Sequence, residues 1–311
     1  MRTYLILIAA LVGSVTTLRF VQAENTFPLD AKRIVFLGDS ITHAGHYISL
    51  IEAQLYSGDG KVPELINLGL PSETCSGLSE PEHPFPRPDV HERLDRALQK
   101  LMPDVVVACY GMNDGIYYPP SEERFAAYKM GVNKLIEKVN ATGAKLILMT
   151  PPAFDPFPLK QKGKLRPLGE KEYSWKTIYE DYDDVLKGYT KWLRKQSDRV
   201  DQVIDLHTPV TKYVNEKRKL DPNFSMSPDG VHVNHEGHQV LANAILKAWN
   251  VKQSKVDSEI MTLISNRQNL MHAAWVSEIG HKRPGVKPGI PIDQAKKQAA
   301  DIESQIQAKR R

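Results

Sequence analysis

The chain has 311 residues, 41% of them hydrophobic and 25% charged, the proportions of a globular protein large enough for one sizeable domain and an appendage. Its formal charge is +4, and discounting Arg2 and Arg19 near the N-terminus leaves +2, a balance that does not point to nucleic acid as a partner. Cys75 and Cys109 are too few for a disulfide framework and argue against a thiolate metal site, and the sequence leaves open whether they pair.

Arg2 gives a positive start, residues 5–12 an apolar run and Val21-Gln22-Ala23 a small-x-small ending, the pattern of a cleaved signal peptide over residues 1–23. Gly13, Ser14, Thr16 and Thr17 interrupt the run, which falls short of the roughly 20 apolar residues that span a bilayer. The mature chain is therefore expected to be exported, periplasmic or extracellular, with no membrane span.

Short apolar runs bounded by turn residues predict buried strands at 34–37, 65–68, 105–109, 146–149 and 203–206. Between them, Tyr47, Leu50, Ile51 and Leu55 share a helical face, as do Val90, Leu94, Ala97, Leu98 and Leu101, and then Phe125, Tyr128, Val132, Leu135, Ile136 and Val139. Prolines at 151, 152, 156, 158 and 167 mark 151–195 as an ordered insertion, with a helix-compatible stretch at 178–192. A helix carrying Val240, Leu241, Ala244, Ile245 and Ala248 closes a main domain of residues 24–250. The tail, 251–311, holds two amphipathic stretches, one with Val256, Ile260, Leu263 and Ile264 and one with Ile292, Ala295, Ala299, Ile302 and Ile306, predicting a docked helical hairpin.

Strand and helix alternate, and the strands are continuously apolar, so the fold class is α/β with a parallel sheet covered on both faces. Ligands of such sheets bind beyond the carboxyl ends of the strands, where the loops starting near Gly38, Gly69, Tyr110 and Thr150 should form one cleft.

Those loops hold the residues that carry chemistry. Gly38-Asp39-Ser40-Ile41-Thr42 places a hydroxyl where strand turns into helix, although Gly-Asp-Ser alone is also ordinary turn chemistry. Pro228-Asp229-Gly230-Val231-His232 sets a carboxylate three residues before an imidazole. A serine nucleophile needs a base within hydrogen-bond reach and the base needs a fixed tautomer, roles that suit His232 and Asp229. Donors for a tetrahedral oxyanion are expected from the Gly69 amide, which no side chain screens, and from the Asn113 side chain in Gly111-Met112-Asn113-Asp114.

Taken together, the GDSIT stretch, the glycine after the second strand, GMND after the third and the late Asp-x-x-His resemble the SGNH/GDSL hydrolase family over residues 34–249. The resemblance implies a flavodoxin-like, doubly wound five-stranded sheet in order 2-1-3-4-5. It implies Ser40 as nucleophile, Asp229 and His232 completing the triad, and the Ser40 and Gly69 amides with Asn113 as oxyanion hole. No Gly-x-Ser-x-Gly elbow is present, which argues against the α/β-hydrolase fold.

His43, His46, His232, His235 and His238 cluster in sequence but lack the His-Glu-x-x-His pattern, and no metal or other cofactor is expected. Tyr117, Phe154 and Trp175 stand on loops predicted around the cleft, as do Tyr118, Phe157 and Tyr173; their rings suit sugar faces and equally suit loop packing. His281, Lys282 and Arg283 form a basic turn in the tail that can reach an anionic substrate or simply be solvated. The predicted activity is hydrolysis of a small acyl ester, acetyl foremost, on a carbohydrate through an acyl-serine. The alternatives are a lipid or phospholipid acylhydrolase and a catalytically silent carbohydrate-binding module. Acyl transfer in place of hydrolysis, the alcohol and the oligomeric state are left open.

Overall fold

A computed structural model describes residues 26–58 and 60–310, so the predicted signal peptide lies outside the described residues. The first strand, β1 (Arg33–Gly38), runs into α1 (Ser40–Ala44) and α2 (His46–Tyr56), then β2 (Glu64–Asn67), α3 (Leu94–Leu101), β3 (Val105–Cys109), α4 (Glu122–Ala141) and β4 (Lys145–Met149). The insertion contributes α5 (Phe157–Lys160), β5 (Leu165–Arg166), β6 (Ile178–Tyr179) and α6 (Tyr182–Leu193). Then come β7 (Gln202–Ile204), α7 (His207–Arg218), α8 (His235–Ala248), α9 (Ser258–Ile279) and α10 (Ile292–Arg310).

The main sheet is parallel throughout, in the order β2-β1-β3-β4-β7. With the two short insertion strands set apart in their own ladder, this is the expected 2-1-3-4-5 order. Ile34 pairs with Leu65 on one side and Val105 on the other, and Val106 pairs with Leu146. Residues of β1 and β3 are buried on both faces, which is why their runs are apolar without alternation. Cys75 and Cys109 are both buried, free thiols.

Helix starts follow local chemistry. Ser121 caps α4 by accepting the Arg124 amide, with Glu122 and Glu123 in the first turn, and Asn234 caps α8 by accepting the Gly237 amide. The helix anticipated at 178–192 begins only at Tyr182, because Ile178 and Tyr179 pair with Leu165 and Arg166 as strands. The fifth strand of the main sheet ends at Ile204, where the Leu206 and His207 amides turn to Thr150 Oγ1.

The C-terminal helices pack on the β2 side of the sheet. Ile260, Ile264 and Ile306 are buried with Ala53 and Tyr56 of α2 in a satellite apolar cluster. Polar groups complete the seam: Gln54 and Ser254 exchange two hydrogen bonds of 2.9 Å, and Arg267 pairs with Glu52 at 2.9 Å. β2 is an edge strand, and the outward carbonyls of Leu65 and Asn67 accept from Gln268 Nε2 at 3.0 Å and His272 Nδ1 at 2.9 Å. Gln268 and His272 are four apart, one turn of α9, matching alternate residues of an extended chain.

Gln268 Nε2 also donates to the buried Glu52 carboxylate at 2.8 Å, so Gln268→Ala leaves two buried acceptors short of a donor. The expected loss is about 1–3 kcal/mol of unfolding free energy by denaturant titration. Unchanged stability would mean that this edge does not depend on α9.

Candidate active site

The turn from β1 into α1 is shaped by close contact. A Cβ on Gly38 would stand 2.2 Å from Thr42 Oγ1 and 2.9 Å from the Cys109 carbonyl. Asp39 caps α1, its Oδ1 accepting the Ile41 amide at 2.9 Å, so Ser40 is the first helical residue, where amides lack intrahelical acceptors. Burial pushes the Asp39 carboxyl up to about 6, only partly offset by the Ile41 amide and the His232 charge.

Asp229 and His232 arrive on a turn in which the Gly230 amide donates to Ser227 O at 2.8 Å. Gly230 has φ +77°, and a Cβ there would meet the Asp155 carbonyl and Phe154 Cε2, each at 2.7 Å. The loop after β4 braces this turn: the Asp155 amide donates to Gly230 O at 2.9 Å, and the Asp155 carboxylate takes two bonds from Arg218 Nη2, at 3.0 and 2.7 Å.

This folding brings three of the residues singled out in the sequence into line. Ser40 Oγ lies 2.7 Å from His232 Nε2, and His232 Nδ1 lies 2.6 Å from Asp229 Oδ2. Asp229 Oδ1 accepts the Val231 and His232 amides at 3.0 and 2.8 Å. With Nδ1–H donating to the carboxylate, Nε2 faces the hydroxyl as acceptor. The Asp229 hydrogen bond lifts His232 above the ordinary histidine value despite partial desolvation. Burial opposes the Asp229 charge, but the His232 ring and the two amides outweigh it and bring the carboxyl down to about 2. The His232 and Asp229 side chains are 53% and 55% exposed, so the line opens to solvent along a surface.

Gly69 and Asn113 stand on the neighbouring loops. A Cβ on Gly69 would lie 2.2 Å from His43 N and 2.4 Å from Thr42 C, so the missing side chain lets this loop touch the backbone of α1. The Gly69 amide donates to Asn67 Oδ1 at 2.8 Å, while Asn67 Nδ2 donates to Thr42 O at 2.8 Å. Asn113 is buried; its Nδ2 donates to Glu73 O at 3.2 Å and its Oδ1 accepts the Tyr117 hydroxyl at 2.9 Å.

Behind Asn113 lies a network that sequence reading did not find. Arg93 donates to both Glu73 oxygens at 2.6 and 2.7 Å and to Leu68 O at 2.6 Å, and the Tyr110 hydroxyl adds a further bond to Glu73 at 2.6 Å. A second buried pair, Arg87 with Glu80 at 2.6 and 2.7 Å, places its guanidinium 5.3 Å from the Tyr117 ring centre. Asp114 accepts the Cys75 and Ser76 amides, and its burial raises it to about 6.

Of the three aromatic residues expected to meet substrate, Trp175 is 45% exposed, whereas Tyr117 and Phe154 are buried and pack against Tyr182. The histidines do not gather as one group: His43 meets His272, His46 stands edge-on to His238 with ring centres 5.1 Å apart, and His238 is buried with Nδ1 unpartnered among the described residues. His235 is exposed at the start of α8.

Fold and geometry define a class: a doubly wound parallel sheet with hydroxyl, imidazole and carboxylate aligned at its carboxyl edge, the SGNH hydrolase architecture. The sequence model of the GDSL-like lipase/acylhydrolase family matches residues 36–240, and the chain belongs to that family of ester-hydrolysing enzymes. No curated protein sequence matches it. Among solved structures, the acetyl xylan esterase AlAXEase is similar at 22% identity and TM-score 0.52, over 70% of this chain and 98% of that one. A catalytic mutant of Axe2, an acetylxylan esterase from Geobacillus stearothermophilus, is similar at 17% identity and TM-score 0.53, over 73% and 97%. BT4096, a gut microbial diltiazem-metabolizing enzyme, is similar at 20% identity and TM-score 0.55, over 70% of this chain; the match spans 47% of that protein's length. At such identities the likeness concerns the fold. Among the described residues no helix is long and apolar enough to cross a membrane.

Asp39 carries its charge at a cost whenever the pH exceeds its raised value, so its contribution to stability is greatest at low pH and is lost as pH rises through about 6. Asp39→Asn keeps a good cap and is expected to gain about 2–3 kcal/mol of unfolding free energy at pH 8, with the gain vanishing near pH 4. A pH-independent difference would show that the carboxyl does not titrate as described.

Proposed function

We propose that this enzyme is an exported serine esterase that removes small acyl groups, acetyl foremost, from a carbohydrate. Ser40 is the nucleophile, His232 the general base and acid, and Asp229 the carboxylate that orients it. The observation that carries the reading is the unbroken line Ser40 Oγ, His232 Nε2, His232 Nδ1, Asp229 Oδ2, with both links under 3 Å.

In this mechanism His232 takes the hydroxyl proton as Ser40 Oγ bonds to the ester carbon. It then delivers that proton to the sugar oxygen as the acyl–oxygen bond breaks. Water repeats the sequence on the acyl-serine and releases the acid. The oxyanion is met by the Ser40 amide and by the second Nδ2 hydrogen of Asn113, the first being given to Glu73 O; the single hydrogen of the Gly69 amide is held by Asn67 Oδ1, so Gly69 joins them only when that bond opens. Each such donor lowers the barrier by roughly 3 kcal/mol. The open rim, the exposed Trp175 ring and the acetylxylan esterases among the fold's relatives support a carbohydrate as the alcohol. The N-terminal signal pattern supports export.

On short aryl acetates and acetylated polysaccharides, Ser40→Ala is expected to lower kcat by roughly a thousandfold or more. Turnover near the wild-type rate would remove the mechanism.

The base must be neutral to act, so activity rises with pH through the His232 value, and the midpoint of the acid limb of kcat/KM lies above 6.5. Asp229→Asn withdraws the interaction that raises it; the midpoint should move to lower pH while kcat falls by roughly 10⁴-fold. A limb that stays in place in that variant would assign the titration to another group.

A further inference from the structure

The connector between α9 and α10 brings a cation against the loop that follows β2, two residues beyond Gly69. The Arg283 guanidinium stands 4.9 Å from the Phe85 ring centre, Nε donates to the Pro71 carbonyl at 3.1 Å and Nη1 to the Pro284 carbonyl at 2.5 Å. Pro71 is two residues beyond Gly69, whose carbonyl lies 3.3 Å from His43 Nδ1. His43 in turn is one helical turn beyond Ser40 in α1, on the same face. A short relay of contacts therefore links the guanidinium to the nucleophile turn.

Arg283 is half-buried, and among the described residues it forms no ion pair. The acids felt by its neighbours His83 and His281 are already engaged: Glu80 with Arg87 and Glu92 with Arg96. Desolvation lowers the Arg283 value with no carboxylate to counter it. The charge is felt at His43, His83 and His281, each of which burial shifts below the ordinary histidine value. His43 is also fixed by α9: His272 donates Nδ1–H to Asn67 O and receives His43 Nδ1–H on Nε2, at 2.8 Å. The surroundings of Arg283 are thus an aromatic ring and imidazoles whose charged forms burial disfavours. Stacking and two carbonyls hold the guanidinium in place, and Nη2 has no acceptor among the described residues. With the Nε hydrogen and one Nη1 hydrogen committed to carbonyls, the remaining Nη1 hydrogen and those of Nη2 form the one edge of this preorganised, partly desolvated guanidinium that is left for a planar oxyanion.

We propose that Arg283 is a specificity-determining residue that binds the carboxylate of an acidic sugar, so that the preferred substrate carries its ester beside a uronate unit. This rests on the serine esterase reading and names the substrate class of the same site. The helical extension then supplies part of the substrate pocket.

The test compares an acetylated oligosaccharide containing a uronate with its neutral and sulfated counterparts, in wild type and in Arg283→Gln and Arg283→Lys. The wild-type kcat/KM is expected to favour the uronate substrate by roughly 10- to 100-fold. Arg283→Gln should erase that ratio, with the loss falling in KM, and Arg283→Lys should restore only part of it. Equal values for acidic and neutral substrates, equal losses on both in the variants, or a preference for sulfate alone would overturn the assignment. Calorimetric binding of the deacetylated uronate oligosaccharide to Ser40→Ala, with and without Arg283→Gln, separates the two readings. Charge-dependent binding without ester turnover in the wild type sinks the esterase reading and keeps the anion subsite. Turnover with no charge-dependent binding does the reverse.

Discussion

The geometry of the site depends on one backbone-to-backbone contact. Gly69 lies so close to the Thr42–His43 peptide that any side chain would stand within 2.4 Å of it, and the Asn67 amide ties both partners, holding Thr42 O and the Gly69 amide. The turn that carries Ser40 is thereby fixed against the loop after β2, and the main-chain carbonyl of the same Asn67 receives His272 from the C-terminal extension. One residue at the end of an edge strand joins α1, the neighbouring loop and α9.

What the sequence makes legible follows from how local each signal is. Continuous apolar runs revealed β1, β3 and β4 because strands buried on both faces have no polar alternation to obscure them. Ser40, Asp229 and His232 stood out because turn chemistry and spacing mark them before any contact is known. The apolar faces of α9 and α10 were visible in Ile260, Ile264, Ala295, Ala299 and Ile306, all of which are buried. The surface they cover was not. Gln268 and His272 look like solvent-facing residues in a helical pattern and acquire meaning only beside an edge strand some 200 positions earlier. Loop position places Tyr117 and Phe154 beside the cleft, but it does not reveal that both rings turn inward and pack on Tyr182.

The long segment between β2 and α3 contains little regular structure and is organised by charge. Glu73 with Arg93 and Glu80 with Arg87 are side chains at most 2% exposed, paired through two hydrogen bonds each. Removing one member of such a pair strands an uncompensated charge and costs about 3–5 kcal/mol, whereas the intact pair contributes chiefly by admitting a single arrangement. Glu73 passes that order on, since its carbonyl holds the Asn113 amide.

The helix laid along β2 also bears on how copies of this protein meet one another. An uncovered outer strand offers a row of unpaired amides and carbonyls to any extended chain, a common route to strand exchange and fibrous aggregation. With the Leu65 and Asn67 carbonyls already taken by Gln268 and His272, that margin of the sheet cannot recruit a sixth strand without first displacing α9. Self-association through sheet extension is thus closed on this side, so two molecules sharing a crowded compartment can meet there only through side chains.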